Sequence, residues 1–281
     1  MHIPGVSWAL TLIREGQTKF LLAEIWMRIY KAAWEILFAI KYRVLGHLPP
    51  RRVERIERET KNPVAYESPD HQLPWGTMRD NSTNKKFVTF MAARIQSEAG
   101  GKVLGAMDLG CSGGQLVKDF LDLGWRAVGL EGSDFSLKHG RANWPDLGGK
   151  NLFTCDVAKP FVITADSKPA VFRLITMWEV LEHIRTDELP QLFKNITSHL
   201  DEGGYFVAST TSATDIHEGV DLHQTRWTNL EWRQWVAKTF PELEPVDLGL
   251  KYYQFVRHNA EGSFLTFQKK SRAGAASGAR N

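Results

Sequence analysis

Short apolar runs alternate with amphipathic segments between residues 102 and 268, which is the pattern of strands joined by helices. The apolar runs predict strands at 103–109, 126–130, 151–155, 171–177 and 205–209. The segments between them predict helices at 114–123, at 135–143 with Ser133 or Asp134 as N-cap, and after the fourth strand through residue 200. Because such alternation is typical of parallel sheets covered on both faces, we expect a doubly wound α/β fold.

The stretches on either side of this region complete the predicted domain. Residues 84–99 predict a helix with Phe87, Phe90, Met91 and Ile95 on one face. Residues 227–240 predict another helix, with Thr228 as N-cap and Glu231 completing a capping box. Residues 244–253 and 262–268 have the pattern of a closing hairpin.

The chain before residue 65 has a different pattern. Apolar residues at helical spacing predict a long helix over 19–45, ended by Pro49 and Pro50, and its charges interrupt any run long enough to cross a bilayer. Residues 51–61 are charge-dense and predict a helix or a linker, and the three prolines within 63–75 predict a loop. We therefore divide the chain into a helical extension at 1–64, a domain at 65–270 and a disordered tail at 271–281.

The extension allows two interpretations. Its apolar stripe suits packing on the main domain or on a second subunit, which would make a homodimer through residues 1–60. Its basic and aromatic residues also suit a helix lying on a membrane surface, which would make the protein membrane-associated.

Composition limits the class of protein. With 43% hydrophobic and 24% charged residues, the 281-residue chain is typical of a soluble globular protein. The formal net charge is +3, but basic residues predominate at both ends and the middle is mildly acidic, so we do not expect nucleic acid as a partner. Cys111 and Cys155 form no C-x-x-C motif, and no signal peptide is recognisable. We expect reduced thiols in a cytoplasmic protein.

A glycine-rich loop at 110–114 follows the first predicted strand. Its glycines allow a tight turn and close approach of a ligand to the backbone. The spacing differs from G-x-G-x-x-G, and an acid, Asp108, precedes the loop. Two further acids, Glu131 and Asp156, end the second and third strands, where they suit ribose hydroxyls and the exocyclic amine of an adenine. Three acids at consecutive strand ends favour a positively charged adenosine compound over a phosphate.

These motifs resemble those of class I S-adenosylmethionine-dependent methyltransferases. Four stretches, 107–114, 128–133, 173–184 and 200–209, carry the resemblance in order, with Glu202 where the family has proline. The resemblance covers residues 85–268. It implies a Rossmann-like, mostly parallel seven-stranded sheet with one antiparallel strand, and S-adenosyl-L-methionine as cofactor. The implied cofactor-binding residues are Asp108, Gly110, Cys111, Gly113, Glu131, Gly132, Ser133, Asp156, Val157, Met177 and Trp178.

The segment 179–183 resembles a subset of the family that includes ubiquinone-biosynthesis O-methyltransferases, in the type 11 group, and metal-dependent 2′-O-methyltransferases of small RNA 3′ ends. We expect Glu179 and Glu182 to share a helix face beside His183. With His217 or His223, these residues would suit a divalent metal that lowers the pKa of an acceptor hydroxyl. His183 or His223 as a general base, and catalysis by proximity alone, are the alternatives.

We assign the catalytic role to His183, His223 and Glu182, and no residue is assigned as a metal ligand. The sequence predicts methylation of a small molecule or glycan, at oxygen. Two alternatives remain: a metal-dependent RNA 2′-O-methyltransferase, and a cofactor-binding scaffold without catalysis.

Overall fold

The computed structural model describes Ile40 and residues 54–81, 85–250 and 264–271. The predicted helix over 19–45, apart from Ile40, lies outside the described residues, as does the predicted tail from residue 272 onward. The chain divides into two compact units, Met1–His47 and Leu48–Asn281. The fold described below belongs to the second unit.

A seven-stranded sheet forms the centre of this unit. Its strands are β2 (Gly105–Leu109), β3 (Arg126–Glu131), β4 (Leu152–Thr154), β7 (Phe172–Trp178), β8 (Leu200–Ser209), β11 (Leu243–Pro245) and β12 (Phe264–Lys269). They lie in the order β11-β12-β8-β7-β2-β3-β4. Strand β12 is antiparallel to both of its neighbours, and the other contacts are parallel. This confirms the predicted Rossmann-like fold with one antiparallel strand.

Most of the helices lie between these strands along the chain, as the alternating pattern predicts, and the first three precede β2. The helices are α1 (Pro69–Gln72), α2 (Trp75–Arg79), α3 (Lys85–Glu98), α4 (Gln115–Asp122), α5 (Phe135–Lys138), α6 (Trp144–Leu147), α7 (Leu189–His199) and α8 (Asn229–Thr239). Amphipathic helices bury their apolar face on the sheet, and the central parts of the neighbouring strands are accordingly mostly apolar. Met107, Val128, Ile175 and Phe206, on four neighbouring strands, are all fully buried.

A second, three-stranded sheet was not predicted. It consists of β1 (Ile56–Thr60), β5 (Phe161–Ala165) and β6 (Lys168–Pro169), all antiparallel. The prediction of a helix or linker over 51–61 is therefore wrong for β1. Ile56 is the only apolar residue of β1, so the strand shows no period-two alternation that could have predicted it, and its charges suggested a solvated segment instead.

Three predicted elements differ in extent. The helix predicted at 135–143 is the single-turn α5, after which Gly140 and Ala142 adopt positive φ and end it. The loop predicted at 63–75 contains α1. The long helix predicted after the fourth strand is wrong at its start, where only a 3₁₀ turn, Leu181–His183, forms before α7.

Shorter features complete the fold. Strands β9 (Ile216–His217) and β10 (Val220–Asp221) form a small hairpin after β8. The predicted closing hairpin forms between β11 and β12, although its first strand ends at Pro245. Among the helices of the described residues, none combines the length and apolar character needed to cross a membrane.

Candidate functional site

The glycine-rich loop turns sharply at the carboxyl end of β2. The amides of Gly110 and Cys111 both donate to the carbonyl of Leu130, at 2.7 and 3.0 Å. Gly110 has φ +79°, and a Cβ there would overlap the side chain of Val180. A residue without a side chain is therefore required at this position.

Ser112 ties the loop to three other segments. Its amide donates to Oε2 of Glu131 at 2.7 Å, and its hydroxyl donates to the carbonyl of Asp80 at 2.6 Å. Its carbonyl accepts from the indole N–H of Trp144 at 2.7 Å. These bonds hold Ser112 at φ +46°, which is uncommon for a residue other than glycine.

Glu131 ends β3 and is 6% exposed. Besides the Ser112 amide, its carboxylate accepts from the amide of Ser133 at 3.1 Å, and the Thr77 hydroxyl lies 3.5 Å away. Burial raises the pKa of Glu131, although the two amide hydrogen bonds oppose the shift.

Asp108, on the adjacent strand β2, is also 6% exposed. The Thr176 hydroxyl donates to its Oδ1 at 2.6 Å. Burial raises the pKa of Asp108 to about 7, with the charges of Glu131 and Asp80 adding to the shift and the Thr176 hydrogen bond opposing it. The carboxyl groups of Asp108 and Glu131 are therefore close enough to interact.

These two acids fit a cationic ligand. Neither forms an ion pair with another of the described residues, and burial disfavours their charged forms. A positively charged group bound between the strand ends would favour the ionised forms of Asp108 and Glu131. This is the donor set that S-adenosylmethionine, with its sulfonium and ammonium groups and its ribose hydroxyls, would require.

The third acid, Asp156, follows β4 and lies at the same edge, because the amide of Cys155 donates to the carbonyl of Glu131. Its Oδ1 accepts from the Ala158 amide at 3.0 Å. Burial raises the pKa of Asp156. The carbonyl of Val157 accepts from the side chain of Asn195 in α7, so this carbonyl is already engaged.

The remaining predicted cofactor residues lie around the loop. Gly113 is packed against the side chain of Asn81, and Gly132 against Ala65. Met177 is fully buried in the core at the end of β7. Trp178 packs edge-to-face on Phe87 at 4.8 Å between ring centroids, and its indole nitrogen is buried without a hydrogen-bond partner among the described residues.

Residues 69–81 cover this edge of the sheet, although the sequence predicted only a loop over 63–75 and no part in the site. They contribute Thr77, Asp80 and Asn81 to the contacts described above. One signal was available: Ser68 followed by Pro69 is a typical helix start, and the Ser68 hydroxyl accepts from the amide of Asp70. Which loop a helix covers depends on the tertiary fold, so the sequence did not show it.

A second group of polar residues follows β7 directly. Glu182 is fully buried in the 3₁₀ turn, and the amides of Gln224 and Thr225 donate to its carbonyl at 2.7 and 2.9 Å. These bonds bring His223 beside His183, with ring centroids 4.7 Å apart in an edge-to-face arrangement. Glu182, His183 and His223 thus form one cluster, hereafter the Glu–His cluster.

Electrostatics of the cluster follow from burial. Burial raises the pKa of Glu182 to about 8, and the charge of Glu179 adds to the shift. Burial alone would lower the pKa of His183, but Asp70 and Glu182 outweigh it and the pKa is raised. Asp70 Oδ2 lies 2.8 Å from His183 Nδ1. The charge of Asp70 also raises the pKa of Glu131, so the cluster and the loop share one edge of the sheet.

Two residues predicted for this cluster are not in it. Glu179 has φ +51° and precedes the 3₁₀ turn, so the expected helix face shared with Glu182 does not exist. His217 pairs instead with Asp215, at 2.8 Å between Nε2 and Oδ1, and its ring contacts that of Trp75 at a tilt of 33°.

Comparison with known proteins identifies the family. The sequence profile of a family described as "Methyltransferase domain" matches residues 77–246. Curated protein sequences contain no match to the chain. A solved S-adenosylmethionine-dependent methyltransferase from Clostridium acetobutylicum is 15% identical, with a TM-score of 0.50, over 71% of this chain and 96% of that one. At this identity the similarity concerns the fold.

Two other similar structures have lower TM-scores. A magnesium protoporphyrin IX methyltransferase from Synechocystis is 14% identical over 73% of this chain and 96% of that one, with a TM-score of 0.44. An amino pentose methyltransferase from Micromonospora echinaspora is 16% identical over 71% and 96%, with a TM-score of 0.46. The profile match spans more than half of the chain, and the fold and the buried acids agree with it. The chain therefore belongs to the methyltransferase-domain family, among the class I S-adenosylmethionine-dependent methyltransferases.

Proposed function

We propose that this protein methylates an oxygen atom of a small molecule or glycan. The observation that carries the proposal is the placement of the Glu–His cluster at the same edge of the sheet as the buried acids Asp108 and Glu131. When bound there, S-adenosylmethionine supplies a methyl group, which the acceptor oxygen takes as the carbon–sulfur bond breaks and its electron pair stays on sulfur.

The residues of the chain would perform three tasks in this reaction. Asp108 and Glu131 bind the cationic and hydroxyl groups of the cofactor. The segment 69–81 excludes water from the loop, which favours group transfer to the acceptor over side reactions. The Glu–His cluster orients the acceptor hydroxyl and assists the loss of its proton, which a neutral alcohol must give up on methylation.

The acceptor class is inferred from the surroundings of the cluster. The rings of Trp75 and His217 are in contact, with their centroids 4.8 Å apart, and both residues are at least partly exposed. His217 belongs to the hairpin of β9 and β10, which also carries polar side chains. An aromatic face beside hydrogen-bonding groups suits a sugar or another polyol. The mildly acidic middle of the chain disfavours RNA, whose phosphates require basic residues.

Cofactor binding is tested first. Calorimetry with S-adenosylhomocysteine should detect one site per chain, and Glu131→Gln should weaken binding about tenfold or more, because a bidentate acceptor of ribose hydroxyls is lost. Glu59→Gln, at an exposed acid of β1, is the matched control and should bind like the wild type. Absence of binding by the wild type would refute the proposal.

The acceptor is tested second. Release of S-adenosylhomocysteine should be measured with sugars, polyols, phenols, quinone precursors and RNA 3′ ends. Turnover with a hydroxyl-bearing small molecule or glycan supports the proposal, and turnover with RNA alone contradicts it.

A further inference from the structure

The carboxyl group of Glu182 lacks the partners that a buried acid needs. The residue is fully buried, and neither of its oxygens accepts a hydrogen bond from any residue that the structure describes. The Thr210 hydroxyl is close enough to lower the pKa of Glu182, against the effect of burial, but it is not aligned for a hydrogen bond with any described residue. A buried carboxylate without hydrogen bonds is strongly unfavourable unless a cation balances it. A cation bound beside the two oxygens would satisfy them and favour the ionised form of Glu182.

The neighbours of Glu182 are groups that bind metals. Ligand atoms of Glu182, His183 and His223 all lie within 4.8 Å of one another. Donor atoms that share an ion at about 2.1 Å are roughly 3 to 4 Å apart. Small side-chain movements would therefore bring all three onto one ion.

Each imidazole already has an acceptor beside its Nδ1. The Nδ1 of His223 lies 2.6 Å from the carbonyl of Ala213, and the Nδ1 of His183 lies 2.8 Å from Asp70 Oδ2. The second contact is an ion pair by distance, without hydrogen-bond alignment in this structure. Metal-binding histidines typically donate one ring N–H to a carbonyl or carboxylate, which leaves the other nitrogen as the ligand. Both rings of the Glu–His cluster have this arrangement.

We propose that Glu182, His183 and His223 bind one first-row divalent cation, and that Asp70 is the outer carboxylate that orients His183. Two imidazoles and one carboxylate suit zinc, cobalt, iron or manganese, whereas magnesium and calcium prefer oxygen ligands alone. Three protein ligands leave positions on the ion open, as in catalytic rather than structural metal sites.

The consequence for the acceptor rests on the proposed function. Open positions on the ion would bind two adjacent oxygens of an acceptor, as in a vicinal diol, a catechol or a hydroxy acid. The ion would lower the pKa of the bound hydroxyl, whose proton then passes to solvent. The oxygen lone pair that remains is the nucleophile for the methyl group. Asp70 lies in α1, so residues 69–81, which cover the glycine-rich loop, would also help to orient the metal ligands.

The experiment uses untagged, full-length protein from which metals have been removed by a chelator. Co²⁺ is the probe, because calorimetry reports its affinity and visible absorption bands report its ligands. The wild type should bind one Co²⁺ per chain. Glu182→Gln and His223→Gln should each weaken binding by at least about 100-fold, and Asp70→Asn by about 10- to 100-fold.

His217→Gln is the matched control, because this histidine lies close by but outside the cluster. Its Co²⁺ affinity should stay within about twofold of the wild type. Absence of a Co²⁺ site in the wild type would overturn the proposal, as would wild-type affinity in both Glu182→Gln and His223→Gln. If the buried substitution Glu182→Gln does not fold, the partly exposed His223→Gln decides the outcome.

Binding of S-adenosylhomocysteine is measured in the same samples, which separates the two proposals. If S-adenosylhomocysteine binds and Co²⁺ does not, the metal proposal fails and the methyltransferase proposal stands. If Co²⁺ binds as expected and S-adenosylhomocysteine does not, the methyltransferase proposal fails and the metal proposal stands.

Discussion

At the scale of single residues, the buried acids combine a requirement of binding with a cost to stability. Burial raises the pKa values of Asp108 and Glu131, so ionisation of these acids lowers the free energy of unfolding of the ligand-free protein. A bound cationic ligand would offset this loss of stability. The residues most useful for binding are therefore destabilising in its absence.

Asp108→Asn tests this relation through pH. The pKa of Asp108 is about 7 in the folded protein, against an ordinary value of 3.8. Since the folded state holds the proton more tightly, the stability that protonation contributes is complete below about pH 4 and is lost as the pH rises through 7. Asp108→Asn should therefore be more stable than the wild type at pH 8, by about 1 to 4 kcal/mol, with little difference near pH 4.

Denaturant unfolding of the ligand-free protein at several pH values measures this difference. Asp187→Asn, at an exposed acid, is the control and should change the free energy of unfolding by less than about 0.5 kcal/mol at every pH. A stability difference for Asp108→Asn that does not grow between pH 4 and 7 would contradict the prediction. The same variant should bind S-adenosylhomocysteine at least about tenfold more weakly.

Gly110→Ala tests the close packing of the loop. Gly110 and Gly149 both have positive φ, but only at Gly110 would a Cβ collide with a neighbouring side chain, that of Val180. Gly149→Ala should cost about 1 kcal/mol of unfolding free energy from backbone strain alone. Gly110→Ala should cost at least about 2 kcal/mol more, because Val180 must move. Equal losses for the two variants, measured by thermal or denaturant unfolding, would show that the collision is unimportant.

At the scale of elements, local patterns decided where most helices and strands lie. Helix α8 begins where the Thr228–Glu231 capping box predicts, and both of its reciprocal hydrogen bonds are present. Helix α4 is followed by Gly124 at φ +73°, as a C-terminal glycine requires. Strand β1 and the turn at 181–183 departed from prediction, because their conformation depends on contacts with distant residues.

Thr228→Ala measures the capping contribution to α8. Loss of the hydroxyl leaves the Glu231 amide without its partner and should lower the free energy of unfolding by about 1 kcal/mol. Thr197→Ala in α7 is the matched control, because among the described residues this hydroxyl bonds only to the carbonyl of Lys194 in its own helix. We expect the control to change stability by less than about 0.5 kcal/mol, as judged by urea unfolding. A cost as small for Thr228→Ala would refute the capping role.

At the scale of the whole molecule, residues before the central sheet are tied to it by a bidentate ion pair. Arg126, at the start of β3, donates from Nε and Nη2 to the two carboxylate oxygens of Glu54, both at 2.6 Å. The Arg126 side chain is 12% exposed and that of Glu54 is 29% exposed. Such a partly buried pair is expected to contribute more than an exposed one.

Glu54→Gln should therefore lower the free energy of unfolding by about 1 to 3 kcal/mol, because Arg126 stays buried without its charge partner. Asp122→Asn is the matched control: it removes the exposed i,i+4 pair with Lys118 and should cost no more than about 0.5 kcal/mol. Urea unfolding at low and high salt measures both. A cost for Glu54→Gln no larger than that of the control would mean that the pair does not stabilise the fold.

The sequence by itself determined the class of sheet, the glycine-rich loop and the acids at the strand ends. These are encoded locally, in a two- or 3.6-residue period, in turn-forming glycines and in the residue that ends each strand. Only the tertiary structure decided that Asp70, Glu182, His183 and His223 lie together, that Glu179 and His217 do not, and that residues 69–81 cover the loop. Those arrangements depend on contacts between residues far apart in the chain, since burial, and with it the pKa of each acid, depends on which segments pack together.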